Sequence, residues 1–169
     1  MDVKSLLKTL KKSELFGDSR YGKDFDNIDI CGEKGLPNPK SIIIRKGDII
    51  DNLTFVYNGY TTAHGGLGGT KYETQLGENE YIVKVAGTYG KYGNEALIKT
   101  LAFTTNKGNV FSAGQPRPGK DYFEHMAEEG YAICTLFGRA GRFLNCIGFY
   151  SKKIDLDIKS SFLGGMLGK

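Results

Sequence analysis

The stretch Gly47-Asp48-Ile49-Ile50-Asp51-Asn52-Leu53-Thr54-Phe55-Val56-Tyr57 joins a turn to a strand. Gly47-Asp48 is turn chemistry: glycine takes backbone angles closed to other residues, and aspartate bonds its own backbone two residues on. Leu53, Phe55 and Tyr57 then recur at every second position, which puts all three on one face of an extended chain. The same frame returns at Gly141-Arg142-Phe143-Leu144-Asn145, ahead of an aromatic run ending at Tyr150. A weaker third copy, Gly93-Asn94-Glu95-Ala96-Leu97, leads into Ile98 without an acidic position. Three such loop-strand units suggest a pseudo-threefold arrangement.

Outward from these loops the signal stays extended. Residues 41–45, 49–57, 81–89, 96–105, 132–137 and 143–150 carry β-branched or aromatic side chains that suit a pleated surface. Period-two alternation predicts that Ile98, Thr100 and Ala102 face away from Leu97, Lys99 and Leu101. Turn signals separate the runs at Asn58-Gly59, Gly77-Glu78-Asn79, Asn106-Lys107-Gly108 and residues 138–141. No sustained helical period occurs between Phe25 and Tyr150. The chain therefore reads as all-β: a sandwich, barrel or prism. Val3, Leu6, Leu7 and Leu10 recur at helical spacing opposite Lys4, Lys8, Lys11 and Lys12, which predicts a short amphipathic helix over residues 1–13. Residues 14–151 form the predicted domain. Residues 152–169, charged and then glycine-interrupted, read as a tail.

At 169 residues, with 40% hydrophobic and 25% charged, the composition suits one globular domain. Apart from the N-terminal cluster Lys4, Lys8, Lys11 and Lys12, the basic residues behind the net charge of +4 are scattered along the chain, without the concentrated basic face of a nucleic-acid binder. Cys31, Cys134 and Cys146 are odd in number and lack metal-ligand spacing, so they read as buried free thiols. Together with an N-terminus lacking the apolar core of a signal peptide, they point to a cytoplasmic protein, or one secreted without a leader.

The Gly-x-x-x-Asp frame has two readings. One is a hairpin turn with an Asx cap. The other is a polyol cradle, in which the glycine lets successive N–H groups point at a ligand while the carboxylate accepts hydrogen bonds from neighbouring hydroxyls. The cluster His64-Gly65-Gly66-Leu67-Gly68-Gly69-Thr70 matches neither a phosphate loop nor a dinucleotide fingerprint. It is either a flexible turn or a place where backbone approaches a ligand.

The run 47–57, the glycine cluster 64–70, Glu80-Tyr81-Ile82, residues 101–108 and residues 137–150 together resemble the jacalin-related lectins, over about residues 14–151. Phe25-Asp26-Asn27 matches that family's opening strand. The resemblance implies a β-prism I of three four-stranded Greek-key sheets that binds mannose, glucose or galactose without metal, cofactor or catalysis. It implies a main pocket from Gly17 or Asp18, from Gly93, Asn94 and Glu95, and from Gly141, Arg142, Phe143 and Asn145. Arg142 and Phe143 would offer backbone N–H groups, and Phe143 or Tyr92 an apolar ring for a sugar face. Two departures bear on this pocket: Asn145 stands where the family has a carboxylate, and residues 16–22 lack its adjacent glycine pair. A second pocket, implied for some mannose-binding members, is intact as Gly47, Asp48, Ile49 and Asp51 with Gly65 and Gly66.

The two histidines, His64 and His125, have no carboxylate at ligand spacing, and no nucleophile elbow is present. Glu124, Glu128 and Glu129 read as a solvated acidic loop around His125. The expected function is therefore a carbohydrate-binding lectin whose partners are glycans or glycoproteins, acting as a homo-oligomer because single-site sugar affinities are weak. The alternative is a domain that has lost sugar binding and meets a protein or membrane surface through the basic helix and the apolar tail at Phe162 to Leu167.

Overall fold

The computed structural model describes residues 3–154. The chain opens with helix α1 (Val3–Thr9), followed by β1 (Lys11–Lys12), β2 (Phe16–Gly17), β3 (Lys23–Asp26) and a second helix, α2 (Ile28–Glu33). Then come β4 (Ser41–Lys46), β5 (Ile50–Val56), β6 (Thr61–Gly65) and β7 (Thr70–Gln75), a four-stranded sheet in the order β6-β5-β4-β7. Strands β8 (Ile82–Tyr92), β9 (Glu95–Thr105), β10 (Val110–Ala113) and β11 (Tyr122–Met126) repeat that order as β10-β9-β8-β11.

The third unit is split along the sequence. Its first two strands are β12 (Tyr131–Ala140) and β13 (Leu144–Lys153). Its third position is filled by β1 and β2 against β13, and its fourth by β3 against β12. Three Greek keys of one topology thus make a β-prism, and the opening strands complete the unit that the last strands begin. The second and third units join through one pair, Ile82 with Ile133, which makes them a continuous nine-stranded sheet.

The core is where the three inner faces meet. Phe55, Phe103 and Phe149, one from each unit, are fully buried among Ile44, Leu53, Ile98, Leu101, Leu136 and Ile147. Phe55 meets the ring of Phe103 edge-on at 5.8 Å. Each such side chain contributes about 1.5–3 kcal/mol by leaving water. Leu53, Phe55 and Tyr57 all point inward, as their alternation predicts. Tyr57 reaches across the prism to donate to the Cys134 carbonyl at 2.6 Å. The three thiols are buried and free; Cys31 Sγ lies 3.2 Å from Thr135 Oγ1.

Several expectations need correction. Helix α1 ends at Thr9, short of residue 13, because Lys11 and Lys12 pair with Ser151 and Tyr150 as strand β1. Their amines turn toward the domain: Lys11 Nζ is 2.6 Å from Glu128, and Lys12 Nζ lies 4.4 Å from the Phe137 ring centroid. The acidic segment around His125 is not a loop: Glu124 and His125 sit in β11, and the His125 ring stacks on Phe149 at 5.7 Å. The alternation expected over 97–102 fails, because Leu97 and Ile98 are both buried. A register shift falls there, between the pairs Thr88–Thr100 and Tyr89–Ile98, and leaves Lys99 unpaired. The apolar tail at Phe162 to Leu167 lies outside the described residues.

Candidate functional site

That shift is a β-bulge, one extra residue that re-aims a side chain, and every unit has one in the same place. In the first unit Arg45 pairs with Asn52 and Lys46 with Ile50, so Asp51 is the extra residue. In the third, Arg139 pairs with Cys146 and Ala140 with Leu144, so Asn145 is. In the second it is Lys99. The structural counterpart of Asp51 and Asn145 is therefore Lys99, not the Leu97 position that the Gly93 frame suggests. Opposite each bulge lies a glycine with positive φ: Gly65 at 116°, Gly17 at 107° and Gly114 at 70°.

In the first loop Asp51 is 7% exposed and surrounded by glycines. Gly47 N–H donates to Asp51 Oδ2 at 3.1 Å and to the Ile49 carbonyl at 3.1 Å, which curls the loop around the carboxylate. Gly66 N–H donates to the Asp51 carbonyl at 2.8 Å. The glycine cluster is an approach of backbone, not a floppy turn. A Cβ on Gly65 would stand 2.0 Å from the Asp51 carbonyl oxygen, and one on Gly69 would stand 2.5 Å from Oδ2. Arg45 fixes the far end by donating to the carbonyls of Gly68 and Gly69 at 3.0 and 3.2 Å. Asp48 is exposed, whereas Ile49 is buried beneath the loop. The N–H groups of Asp48 and Ile49 make no backbone hydrogen bond among the described residues.

The second loop has the same backbone. Gly141 N–H donates to the Phe143 carbonyl at 3.0 Å, the equivalent of the Gly47 bond. Gly17 and Gly22 stand where Gly65 and Gly69 stand: a Cβ would lie 2.8 Å from the Asn145 carbonyl oxygen in one case and 2.5 Å from Asn145 Oδ1 in the other. The role of the missing glycine pair thus falls to two glycines set further apart in the sequence. Asp18, in contrast, is turned aside. Its carboxylate takes the Arg20 guanidinium, with a closest contact of 2.6 Å, and the Arg20 N–H at 3.0 Å, bonds that hold its pKa at about 2.

The β8–β9 hairpin, closed by Gly93 and Asn94, overhangs this loop. Glu95 Oε1 lies 3.3 Å from Asn145 Nδ2, and Tyr92 meets the Phe143 ring edge-on at 6.0 Å. The structure therefore brings Gly17, Glu95, Phe143 and Asn145 together, with Gly93 and Asn94 at the hairpin tip. The two loops abut each other as well, since a Cβ on Gly66 would lie 2.4 Å from the Arg142 carbonyl oxygen.

Buried acceptor oxygens beside free N–H groups, with an apolar ring at one rim, suit a ligand rich in adjacent hydroxyls. Residues 13–150 match the family model of the jacalin-like lectin domain. This chain belongs to the jacalin-like lectin family. Horcolin from Hordeum vulgare is 33% identical over 119 residues, spanning 65% of this chain and 79% of the relative. Among solved structures, a Malaysian banana lectin variant aligns with 86% of this chain and 99% of its own at 29% identity, with a TM-score of 0.69. A mannose-binding jacalin-related lectin from Ananas comosus covers the same shares at 26% identity and a TM-score of 0.66. Like its family, this jacalin-like lectin is a non-catalytic carbohydrate-binding protein.

In this jacalin-like lectin, reading the sequence misses Gly22 and Lys99, and it takes Gly68 and Gly69 only as part of the glycine cluster. A signal existed for the first: Tyr21-Gly22-Lys23 is a turn directly before a strand. Lys99 carries none, because Glu95 rather than a glycine opens its frame.

Proposed function

We propose that this lectin recognises mannose- or glucose-type glycans, with galactose-type glycans as the competing specificity, and that the first loop is the principal site. Gly47, Asp48, Ile49 and Asp51 with Gly65 and Gly66 form that site, and Gly68 and Gly69 close its wall. The observation that carries this reading is the buried Asp51 carboxylate, caged by glycines with one oxygen held by Gly47 N–H. Such a group accepts from two neighbouring hydroxyls, and hydrogen bonds to a charged acceptor contribute about 1.5–3 kcal/mol each. The mannose-binding relative from Ananas comosus and a mannose/glucose-specific lectin from Parkia pendula, 28% identical over 75 residues, support the choice of sugar. The second loop, Gly141 to Asn145 with Gly17 and Glu95, is proposed as a weaker site.

Calorimetry with methyl α-mannoside and methyl α-galactoside tests this. The wild type binds in the millimolar range or tighter, and Asp51→Ala removes the stronger isotherm, a loss of at least about tenfold. Full binding by Asp51→Ala, or none by the wild type at millimolar sugar, overturns the reading.

A further inference from the structure

Asn145 is 1% exposed, and its amide nitrogen has two partners: Glu95 Oε1 at 3.3 Å and the Ala96 carbonyl at 3.2 Å. The Ala96 oxygen can only accept a hydrogen bond, so the amide has one orientation, with Nδ2 toward the hairpin and Oδ1 toward Gly22. Among the described residues no donor reaches Oδ1. The donors that distinguish asparagine from aspartate are therefore spent inside the protein, and they hold a carboxylate. Glu95 is only partly buried and stands at the rim of the second loop beside Phe143 and Tyr92.

We propose that the charged acceptor of the second loop is Glu95, and that Asn145 fixes it there through its amide nitrogen while keeping its own Oδ1 for the ligand. This rests on the reading of the loops as sugar sites. The ligand class is a neutral hexose with two adjacent hydroxyls, one donating to Glu95 and the other to Asn145 Oδ1. The acid of the frame has moved from the bulge to the neighbouring hairpin, so this site reads its ligand with two chain segments where the first loop uses one carboxylate. The consequence runs against the family motif. Asn145→Asp, which restores the motif's acid, sets two carboxylates at hydrogen-bond distance and turns an acceptor toward the Ala96 carbonyl, so it weakens the site.

The test is a titration of the ¹⁵N-labelled full chain with methyl α-mannoside and then methyl α-galactoside. The amides of Gly141 and Phe143 report on the second loop, and those of Gly47 and Ile49 on the first. Glu95→Gln lowers second-loop affinity about tenfold and leaves the first unchanged. Asn145→Asp lowers it by at least as much. Glu95→Gln combined with Asn145→Asp recovers part of the loss, because the amide introduced on the hairpin then donates to the new carboxylate in the bulge. The spectra also report folding, and the partly exposed Glu95 carries the test if Asn145→Asp unfolds. Stronger binding by Asn145→Asp, unchanged binding by Glu95→Gln, or shifts in the first loop alone overturns the proposal and leaves the first site standing. Shifts in neither loop overturn the sugar reading itself.

Discussion

The first and third Greek keys present the same bulge, the same opposing glycine and the same curled loop, yet they end in different chemistry. Asp51 turns both carboxylate oxygens into a cage of glycines. Asn145 turns its nitrogen away to bind Glu95 and Ala96. The strand before each glycine differs too. His64 pairs with Leu53 in the first unit, and Phe16 takes its place opposite Ile147 in the third. The second Greek key shows what happens when the frame lapses: with Lys99 at the bulge, the hairpin runs on for four more pairs, to Tyr92–Glu95, and leans over its neighbour's site. One backbone device thus carries a caged carboxylate, an amide tied to a neighbouring hairpin and the base of a longer hairpin.

The sharpest way to break this comparison is to fill the space opposite each bulge. Gly65→Ala places a Cβ 2.0 Å from a backbone oxygen at a φ of 116°, and Gly17→Ala places one at 2.8 Å and 107°. Denaturant unfolding is expected to show a loss of about 3 kcal/mol or more for Gly65→Ala and a smaller loss for Gly17→Ala. Equal losses would mean that the two positions do not differ in the way their contacts predict.

The next effect depends on pH. His64 stacks on Phe25 at 3.6 Å and bonds Asn27 Oδ1 at 3.0 Å, and burial lowers its pKa from 6.5 to about 4. As pH falls below about 6.5 the unfolded chain takes up a proton that the folded chain refuses until about 4, so stability declines across that window and the decline ends below it. His64 is only partly buried, so solvent screening trims the loss attributable to this group to about 2 kcal/mol. His64→Gln keeps a donor for Asn27 but carries no titrating ring. Unfolding curves at pH 7 and pH 4 should therefore converge more closely for this variant than for the wild type.

The smallest effect sharpens the comparison from the other side. Gly141 lies outside the positive-φ region and has open space where a Cβ would go. Gly141→Ala should leave stability within about 0.5 kcal/mol, and a melting curve that moved by several degrees would show a hidden constraint in the second loop.

How much of this was legible depended on whether a residue's role is local. The strands carrying Leu53, Phe55 and Tyr57 could be read because alternation records burial. Strand β7 could not, since Thr70 to Gln75 has no apolar face and is held by pairing with β4. Helix α2 spans six residues, too few to show a period, and is held by Cys31 and the fully buried Leu36 against the core. Asp51 and Gly65 stood out in the glycine frames. Gly22 did not, because what it does is leave room for an amide that arrives from another strand. Glu95 was assigned to the site through family resemblance, but its bond to Asn145 belongs to the folded chain alone.

The split third Greek key also bears on how the chain is made. Lys11 pairs with Ser151 and Gly17 with Cys146, so β1 and β2 leave the ribosome long before their partners exist. Contacts of such sequence separation form late. The third Greek key is therefore expected to close last of the three, with its first-made strands waiting for the last. A circularly permuted gene beginning at the exposed turn residue Gly130 would place the strands of each Greek key next to one another in translation order and remove that wait.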